Sequence, residues 1–367
     1  MPKKINLFVD CHIFDKNFQG TTTYIKGIYL EMIADKNIHF FFAANNIEPI
    51  QQIFGERENV HYLKYKTKNK VYRLLVDIPK LIKQNKIDFA HFQYIVPPIK
   101  HCKYIVTIHD LLFLDYPDYF PLSYRIQNKF LFKWSANYSD IVLTVSEFSK
   151  KHIQKLFKIQ EISITPNAVD PIYFEPYDKS ILKQEVKQKY NLDQYWIYIS
   201  RWEPRKNHHT LLQVFVENQF YKDYSLVFVG DKDIYNKEYE DYFETLSEEI
   251  KSKIITFNKV EFPILLQLLR GANLSVYPSF AEGFGIPPLE ALAARIPSIC
   301  SNTTAMADFT FMKEDTFNPY DKKDILKIIN KALSEEFDFS KVELLEANYN
   351  WNSSAAILKK KIFEKSE

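Results

Sequence analysis

LSVYPSFAEGFGIPPLEALAA, residues 274–294, is the stretch on which the fold turns. Its first four residues are a short apolar run that stops at Pro278, the pattern of a strand buried on both faces. Gly283 and Gly285 follow in a loop. Pro287 and Pro288 then open a run of helix formers. Proline suits the first helical turn because an N–H there has no intrahelical partner. The stretch reads as strand, loop, helix, with the helix starting near Pro287 or Pro288. Two carboxylates ride on it, Glu282 in the loop and Glu290 in the first turns of the helix.

The same unit recurs outward from there. Apolar runs at 5–9, 38–43, 60–64, 89–92, 104–108, 141–145 and 162–165 alternate with helical patterns such as 22–34, 71–84, 122–136 and 147–156. The rhythm restarts with strands at 196–200, 225–229, 254–257, 274–277 and 298–300, and with helices at 208–216, 239–251, 263–270 and 288–294. This alternation predicts an α/β fold of two Rossmann-like domains, each a parallel sheet with helices on both faces. Pro166, Pro171 and Pro176 mark the break between halves as a linker. The expected division is 1–170, 171–350 and a terminal helical stretch within 351–367. The sequence alone leaves open where that stretch packs.

Composition agrees with this plan and narrows the function classes. At 367 residues the chain has room for two domains of about 100–200 residues each. Apolar residues make up 46% and charged residues 26%, so each half can bury a core. Cys11, Cys102 and Cys300 are scattered, which suits a reducing compartment without a disulfide framework, and no Cys/His spacing suggests a metal. The run 5–9 is too short for a signal-peptide core, and no run of about 18 apolar residues exists. The expectation is a cytoplasmic chain without metal or nucleic-acid partner. Residues 1–170 carry 23 Lys+Arg against 16 Asp+Glu, and the remainder 25 against 30. The basic half could rest on anionic lipid head groups or meet a phosphorylated acceptor, although ordinary scatter of surface charge has the same signature.

Glycine is scarce, with seven in the chain, so each survivor is expected where a Cβ would not fit. Gly20, Gly230, Gly283 and Gly285 all follow the carboxyl ends of expected strands, where open parallel sheets bind ligands. The dinucleotide fingerprint G-x-G-x-x-G is absent, which argues against hydride transfer.

Four segments carry chemistry. In 278–291 the helix start offers unpaired N–H groups and a positive dipole end to phosphate. Glu282 and Glu290, at different depths, could accept from two hydroxyl-bearing groups, such as a sugar and a ribose joined by a diphosphate. The bland alternative is one helix-start charge and one solvated carboxylate. In Ser200-Arg201-Trp202-Glu203-Pro204-Arg205-Lys206-Asn207 the cations could stabilise a departing diphosphate. A surface turn pairing Glu203 with Arg205 is the alternative. His109, in Thr107-Ile108-His109-Asp110, could bond a sugar hydroxyl or a phosphate, or be a buried histidine held by Asp110. Gly230-Asp231-Lys232-Asp233 imitates a D-x-D metal motif but reads better as a loop that stops a strand.

Taken together, these segments resemble the retaining GT-B glycosyltransferases of glycosyltransferase family 4 over nearly the whole chain. The resemblance rests on EGFGIPPLEA (282–291), SRWEPRKN (200–207), TIHDLLFLDYPDYFP (107–121), SDIVLTVSEFSK (139–150) and TPNAVD (165–170), in the family's order. TIHDLLFL followed by VSEFSK looks most like the bacterial branch of O-antigen mannosyltransferases. The resemblance implies two Rossmann-like domains facing across a cleft, with the last helix crossing back to the first domain. It implies that Arg201 and Lys206 hold the diphosphate of a nucleotide sugar, with Gly283, Phe284, Gly285 and Ile286 at the donor. Glu282 would bond the sugar, Glu290 the ribose and His109 the transferred sugar. Gly20, Thr21 and Thr22 would lie against diphosphate or acceptor, and Lys259 and Val260 near the base. Transfer would retain configuration without a metal or other cofactor. By its branch, the resemblance implies GDP-mannose as the donor and a glycan or lipid-linked glycan of a surface polysaccharide as the acceptor.

Departures from the family pattern fall at Gln19-Gly20-Thr21, where one glycine replaces two, at Ala168 where glycine is usual, at Ala294-Arg295 in place of a Cys-Gly-like pair, and at Asp308 where glutamate is frequent. A sugar-nucleotide epimerase, a phosphorylase and a non-catalytic nucleotide-sugar binder are the competing readings on the same fold.

Overall fold

The computed structural model describes residues 4–15, 20–232 and 234–366. The chain divides into two compact units. Unit 1 is Met1–Ala168 with Tyr349–Glu367, and unit 2 is Val169–Asn348.

Among its described residues unit 1 holds seven strands: β1 (Ile5–Asp10), β2 (Ile38–Ala44), β3 (Val60–Lys64), β4 (Phe89–Gln93), β5 (Lys103–Thr107), β6 (Ile141–Thr144) and β7 (Ser163–Ile164). Their order is β3-β2-β1-β4-β5-β6-β7 and every pair is parallel. Parallel strands need crossover helices, which bury both sheet faces, and that is why the strands read as unbroken apolar runs. One face is sealed by a cluster that gathers Phe8, Phe92 and Tyr104 from the sheet, Ile78 and Ile82 from the helix Ile78–Gln84, and Phe132 and Ala136 from the helix Leu122–Tyr138.

The terminal helix Trp351–Ser366 packs on the helix Gly20–Met32. Ser354 Oγ donates to Pro166 O (2.7 Å) and Lys359 pairs with Asp35 (3.1 Å). Gly27 is what lets the two helices meet. A Cβ there would lie 2.2 Å from Trp351 Cδ2.

Unit 2 holds β8 (Tyr195–Ile199), β9 (Ser225–Val229), β10 (Ile254–Phe257), β11 (Leu274–Tyr277), β12 (Ser298–Ser301) and β13 (Thr316–Phe317). Their order is β10-β9-β8-β11-β12-β13, again all parallel.

Three expectations need correction. Residues 71–84 are not one regular helix. Lys70–Tyr72 passes into a π-turn, Arg73–Asp77, before Ile78–Gln84. Pro79 explains this, since it has no N–H for the carbonyl four residues back and its ring crowds that carbonyl. The expected helix 239–251 is two, Lys237–Glu244 and Glu248–Lys251, because Ser247 caps a new start by accepting from Ile250 N. The prolines of 166–176 are more than a linker. Pro171–Phe174 is a 3-10 turn capped by Asp170, and it carries buried Tyr173 into unit 2.

Candidate active site

In unit 2, β8 and β11 are neighbours from which the chain departs in opposite directions, β8 toward β9 and β11 toward β12. Such a reversal opens a crevice beyond the strand ends, where open α/β sheets take their ligands. The two loops that leave these ends are Ser200–Asn207 and Pro278–Gly285, the segments the sequence singles out.

Their geometry is fixed from several sides. Gly230 ends β9 with φ +150°, and a Cβ there would fall 2.0 Å from Ser200 O, so the loop lies directly on the glycine. Trp202 N donates to Asp231 O (3.0 Å), and the buried Trp202 ring stacks on His208 at 4.2 Å. Asn207, in the left-handed region at φ 59°, donates to Pro278 O (3.1 Å) and Pro319 O (3.3 Å). Phe280 N donates to Arg205 O (2.8 Å), and the Tyr198 hydroxyl donates to Lys206 O (2.7 Å). These contacts tie the two loops to each other and to the strands, and positioning charge requires such a frame.

On this frame the charges form a chain. Lys206 Nζ donates to Glu282 Oε1 (2.6 Å). Arg205 Nη1 donates to Glu282 Oε2 (3.1 Å) and to Ala281 O (2.8 Å), while its Nε donates to Glu203 Oε2 (2.7 Å). Arg201 reaches Glu203 Oε1 (2.9 Å) from an exposed position. Three cations thus face two carboxylates, an excess of one positive charge. Burial alone would raise the Glu282 carboxyl, but Lys206 and Arg205 hold it down at about 2. Burial lowers the Lys206 ammonium, against the opposing pull of Glu282. Ser279 also bonds the Glu282 carboxylate, and with three of its four lone-pair sites taken it can still accept from one further hydroxyl.

The sequence brings Arg201, Lys206 and Glu282 to one place but leaves out Arg205 as the tie between them. The Glu203–Arg205 pair expected of a bland surface turn does form, within the cluster.

The helix carrying Glu290 is Ile286–Ala293, starting one residue before Pro287, with Gly285 as its N-cap at φ +95°. A Cβ on Gly285 would press within 2.7 Å of Met306 Cγ. Pro287 and Pro288 have no N–H, so this helix start offers fewer amides to an anion than expected, and charge neutralisation falls to side chains. Glu290 is hydrogen-bonded to Tyr173, and burial, with Asp170 nearby, pushes its carboxyl up to about 7. Its neutral form is therefore favoured in the fold, and stability falls as pH rises from the ordinary glutamate range through 7. Glu290→Gln is expected to stabilise the chain by about 2 kcal/mol near pH 8 and by almost nothing near pH 5. Thermal unfolding of the two proteins across that range checks it, and parallel curves would remove the assignment.

Lys259 is exposed and Val260 half-buried in the loop after β10, the edge strand. Lys232 pairs with Glu240 (2.5 Å) and lies over the Trp202 ring at 4.8 Å, while Asp233 lies outside the described residues. Among the described residues no three His, Cys, Asp or Glu side chains come together as a metal site. Of the residues that depart from the family pattern, Gln19 lies outside the described residues. Arg295 sits at φ 58°, in the left-handed region that favours glycine, and its guanidinium donates to Phe174 O (3.2 Å).

In unit 1, His109 follows β5 and is buried. Its partner is Gln93 at the end of β4, not Asp110, which instead accepts from Leu112 N (3.1 Å). His109 Nε2–H donates to Gln93 Oε1 (2.7 Å). Burial takes the imidazole down to about 3, so it is neutral, and Nδ1 is left as an acceptor. Gly20 and Thr21 begin the helix Gly20–Met32 at the surface, whereas Thr22 is buried, and among the described residues its hydroxyl has no hydrogen-bond partner. Gly20 departs from expectation, because a Cβ there would meet nothing within 4 Å.

Residues 20–172 match the model of Glycosyltransferase Family 4, and residues 181–351 that of Glycosyl transferases group 1. The O-antigen chain mannosyltransferase RfbU of Salmonella typhimurium is 30% identical over 222 residues, 59% of this chain and 57% of that protein. The O-antigen chain mannosyltransferase B of Escherichia coli is 33% identical over 213 residues, 56% and 54% of the two chains. The chain spans about half the length of the curated relatives it matches. Among solved structures, sucrose-phosphate synthase from Thermosynechococcus elongatus superposes with a TM-score of 0.76 over 99% of this chain and all of that one, at 15% identity.

Proposed function

We propose a function from one premise: the chain belongs to the glycosyltransferases, its first half to Glycosyltransferase Family 4 and its second to Glycosyl transferases group 1. It transfers a mannosyl group from a nucleotide-diphosphate sugar, GDP-mannose by preference, to a glycan or lipid-linked glycan acceptor of a surface polysaccharide. The mannosyltransferase relatives support the sugar, and the free cysteines fit a cytoplasmic setting.

The observation that carries this reading is the chain Arg201–Glu203–Arg205–Glu282–Lys206 at the strand ends. As the bond from anomeric carbon to phosphate oxygen breaks, negative charge grows on the diphosphate. Arg201 and Lys206 stabilise it more in the transition state than before. The acceptor oxygen bonds to the same face of that carbon, its proton passes to the leaving phosphate oxygen, and configuration is retained. Glu282 holds the sugar hydroxyls and Glu290 the ribose. Gly283–Ile286 line the donor, and Lys259 and Val260 the base. In unit 1, neutral His109 accepts from a sugar hydroxyl, and Gly20 and Thr21 lie at the acceptor. No metal is needed in this scheme.

The test is NMR of the product formed from GDP-mannose and a mannosyl acceptor in EDTA. The expected product is α-linked, as the donor is. A β-linked product, release of free or rearranged sugar, or a strict need for a divalent cation would each contradict the proposal.

A further inference from the structure

Two segments of unit 1 expose large apolar side chains that none of the described residues covers. In the first, Val71 is 63% exposed, and Tyr72, Leu75 and Val76 are each more than 40% exposed. In the second, the helix Leu122–Tyr138 presents Leu122, Ile126 and Phe130 at 63–69% exposure. The spacing i, i+4, i+8 puts these three on one stripe, opposite the buried Asn128, Phe132 and Ser135. Single exposed apolar residues are ordinary, but a stripe of three and a cluster of four are not.

Both segments cover the same side of the sheet. Ile78 and Ile82, which continue the first segment, and Phe132 and Ala136 of the second are buried in one common cluster. Their exposed residues therefore belong to the outer surface of one layer.

The charge carried by the two segments themselves is almost all positive. Residues 64–86 hold seven lysines and Arg73 against one acid, Asp77, and Asp77 is buried and accepts from Lys66 N (2.9 Å). Residues 122–138 add Arg125, Lys129 and Lys133 with no acid. Unit 1 as a whole has 27 Lys+Arg against 17 Asp+Glu, whereas unit 2 has 21 against 29. Exposed apolar side chains among lysines match a surface that is apolar below and anionic above. Lysine stems lie along the boundary while their ammonium groups meet the head groups. A soluble polyanion would satisfy the lysines but leave the apolar residues in water.

We infer that the outer surface formed by residues 64–83 and 122–133 of unit 1 docks on an anionic lipid bilayer, inserting Val71, Leu75, Ile126 and Phe130 at the head-group boundary. The docking involves no spanning segment, and among the described residues no helix is long and apolar enough to cross a membrane. The surface is independent of the donor site, so this inference can fail while the transfer reaction stands, and the reverse.

The test is flotation of the full chain with vesicles of phosphatidylcholine, alone or with about one third phosphatidylglycerol. The chain should float with the anionic vesicles and not with the neutral ones, and about 0.5 M salt should release most of it. Leu75→Ser/Ile126→Ser/Phe130→Ser and Lys66→Glu/Lys68→Glu/Lys129→Glu should each cut partitioning about tenfold or more. These positions are at the surface, and an unchanged unfolding midpoint shows that the fold is intact. Equal flotation with both vesicle types, no flotation with either, or wild-type partitioning by both variants would overturn the inference. So would binding to a soluble acidic polymer that survives loss of the apolar residues as strongly as vesicle binding does.

Discussion

Lys206→Met will lower the transfer rate by a factor of about 10² to 10³, the usual cost of removing one fixed group that faces developing negative charge. It will also expose a structural debt. Lys206 and Glu282 are largely but not fully buried, each satisfying the other at 2.6 Å, and a fully buried charge stripped of its partner costs about 3–5 kcal/mol. Arg205 still contacts Glu282 in this variant and keeps the loss toward the lower end. Glu282→Ala is worse for the fold, because it leaves both Lys206 and Arg205 without that carboxylate. The double variant Lys206→Met/Glu282→Gln separates chemistry from stability. It removes both charges while keeping both shapes, so the unfolding midpoint should return close to wild type while transfer stays lost. A double variant that is stable and active would show that the pair only holds the loops together. The pair also sets an acid limit. The Glu282 carboxyl is held at about 2, below its ordinary 4.5, so its contribution is complete above the ordinary value and disappears as pH falls through the lower one.

Gly27→Ala will destabilise unit 1 by about 2–3 kcal/mol, against the local preference of the helix. Alanine is the better helix former by about 1 kcal/mol, so the helix Gly20–Met32 taken alone would gain. The added Cβ would overlap the Trp351 ring, which lies 2.2 Å away, and push the terminal helix outward. Trp351→Ala should cost about 3–5 kcal/mol by itself. In that background Gly27→Ala should become neutral or stabilising. Denaturant unfolding, with hydrogen exchange of the helix Gly20–Met32 to localise the change, gives the double-mutant cycle. Additive effects would mean that the two residues do not meet.

Much of the fold is legible because parallel strands announce themselves. Ser225–Val229 and Leu274–Tyr277 are apolar but for Ser225 and Ser275, and Gly230 and Pro278 stop them at the expected residues. Helix ends are less legible, since they depend on caps and on single prolines. Pro79 turns one expected helix into three pieces, and Ser247 divides another. The helices Lys179–Tyr190 and Ser340–Asn348 bury one side chain each, Val186 and Leu345, and emerge only in the structure; Lys322–Ser334 is also not expected, although Asp321 caps it and Ile325, Ile328 and Ile329 form a buried face.

For the site, local order in sequence suffices where the residues share one loop, as Arg201 and Lys206 do. It fails where a partner arrives from a distance. Nothing around Gln93 signals His109, and nothing around Tyr173 signals Glu290. The scarcity of glycine is informative at Gly230 and Gly285, which lie under close contacts, but misleads at Gly20. It passes over Gly27, whose neighbour in space is more than three hundred residues away in the chain.

Calorimetric titration of GDP and UDP in EDTA tests the central claim, that the loops after β8 and β11 grip a nucleoside diphosphate through side-chain charge. The wild-type chain should bind without added metal, and Lys206→Met/Glu282→Gln should bind about a hundredfold more weakly with its fold intact. Equal affinity in the two proteins, or binding by wild type only when a divalent cation is restored, would contradict it.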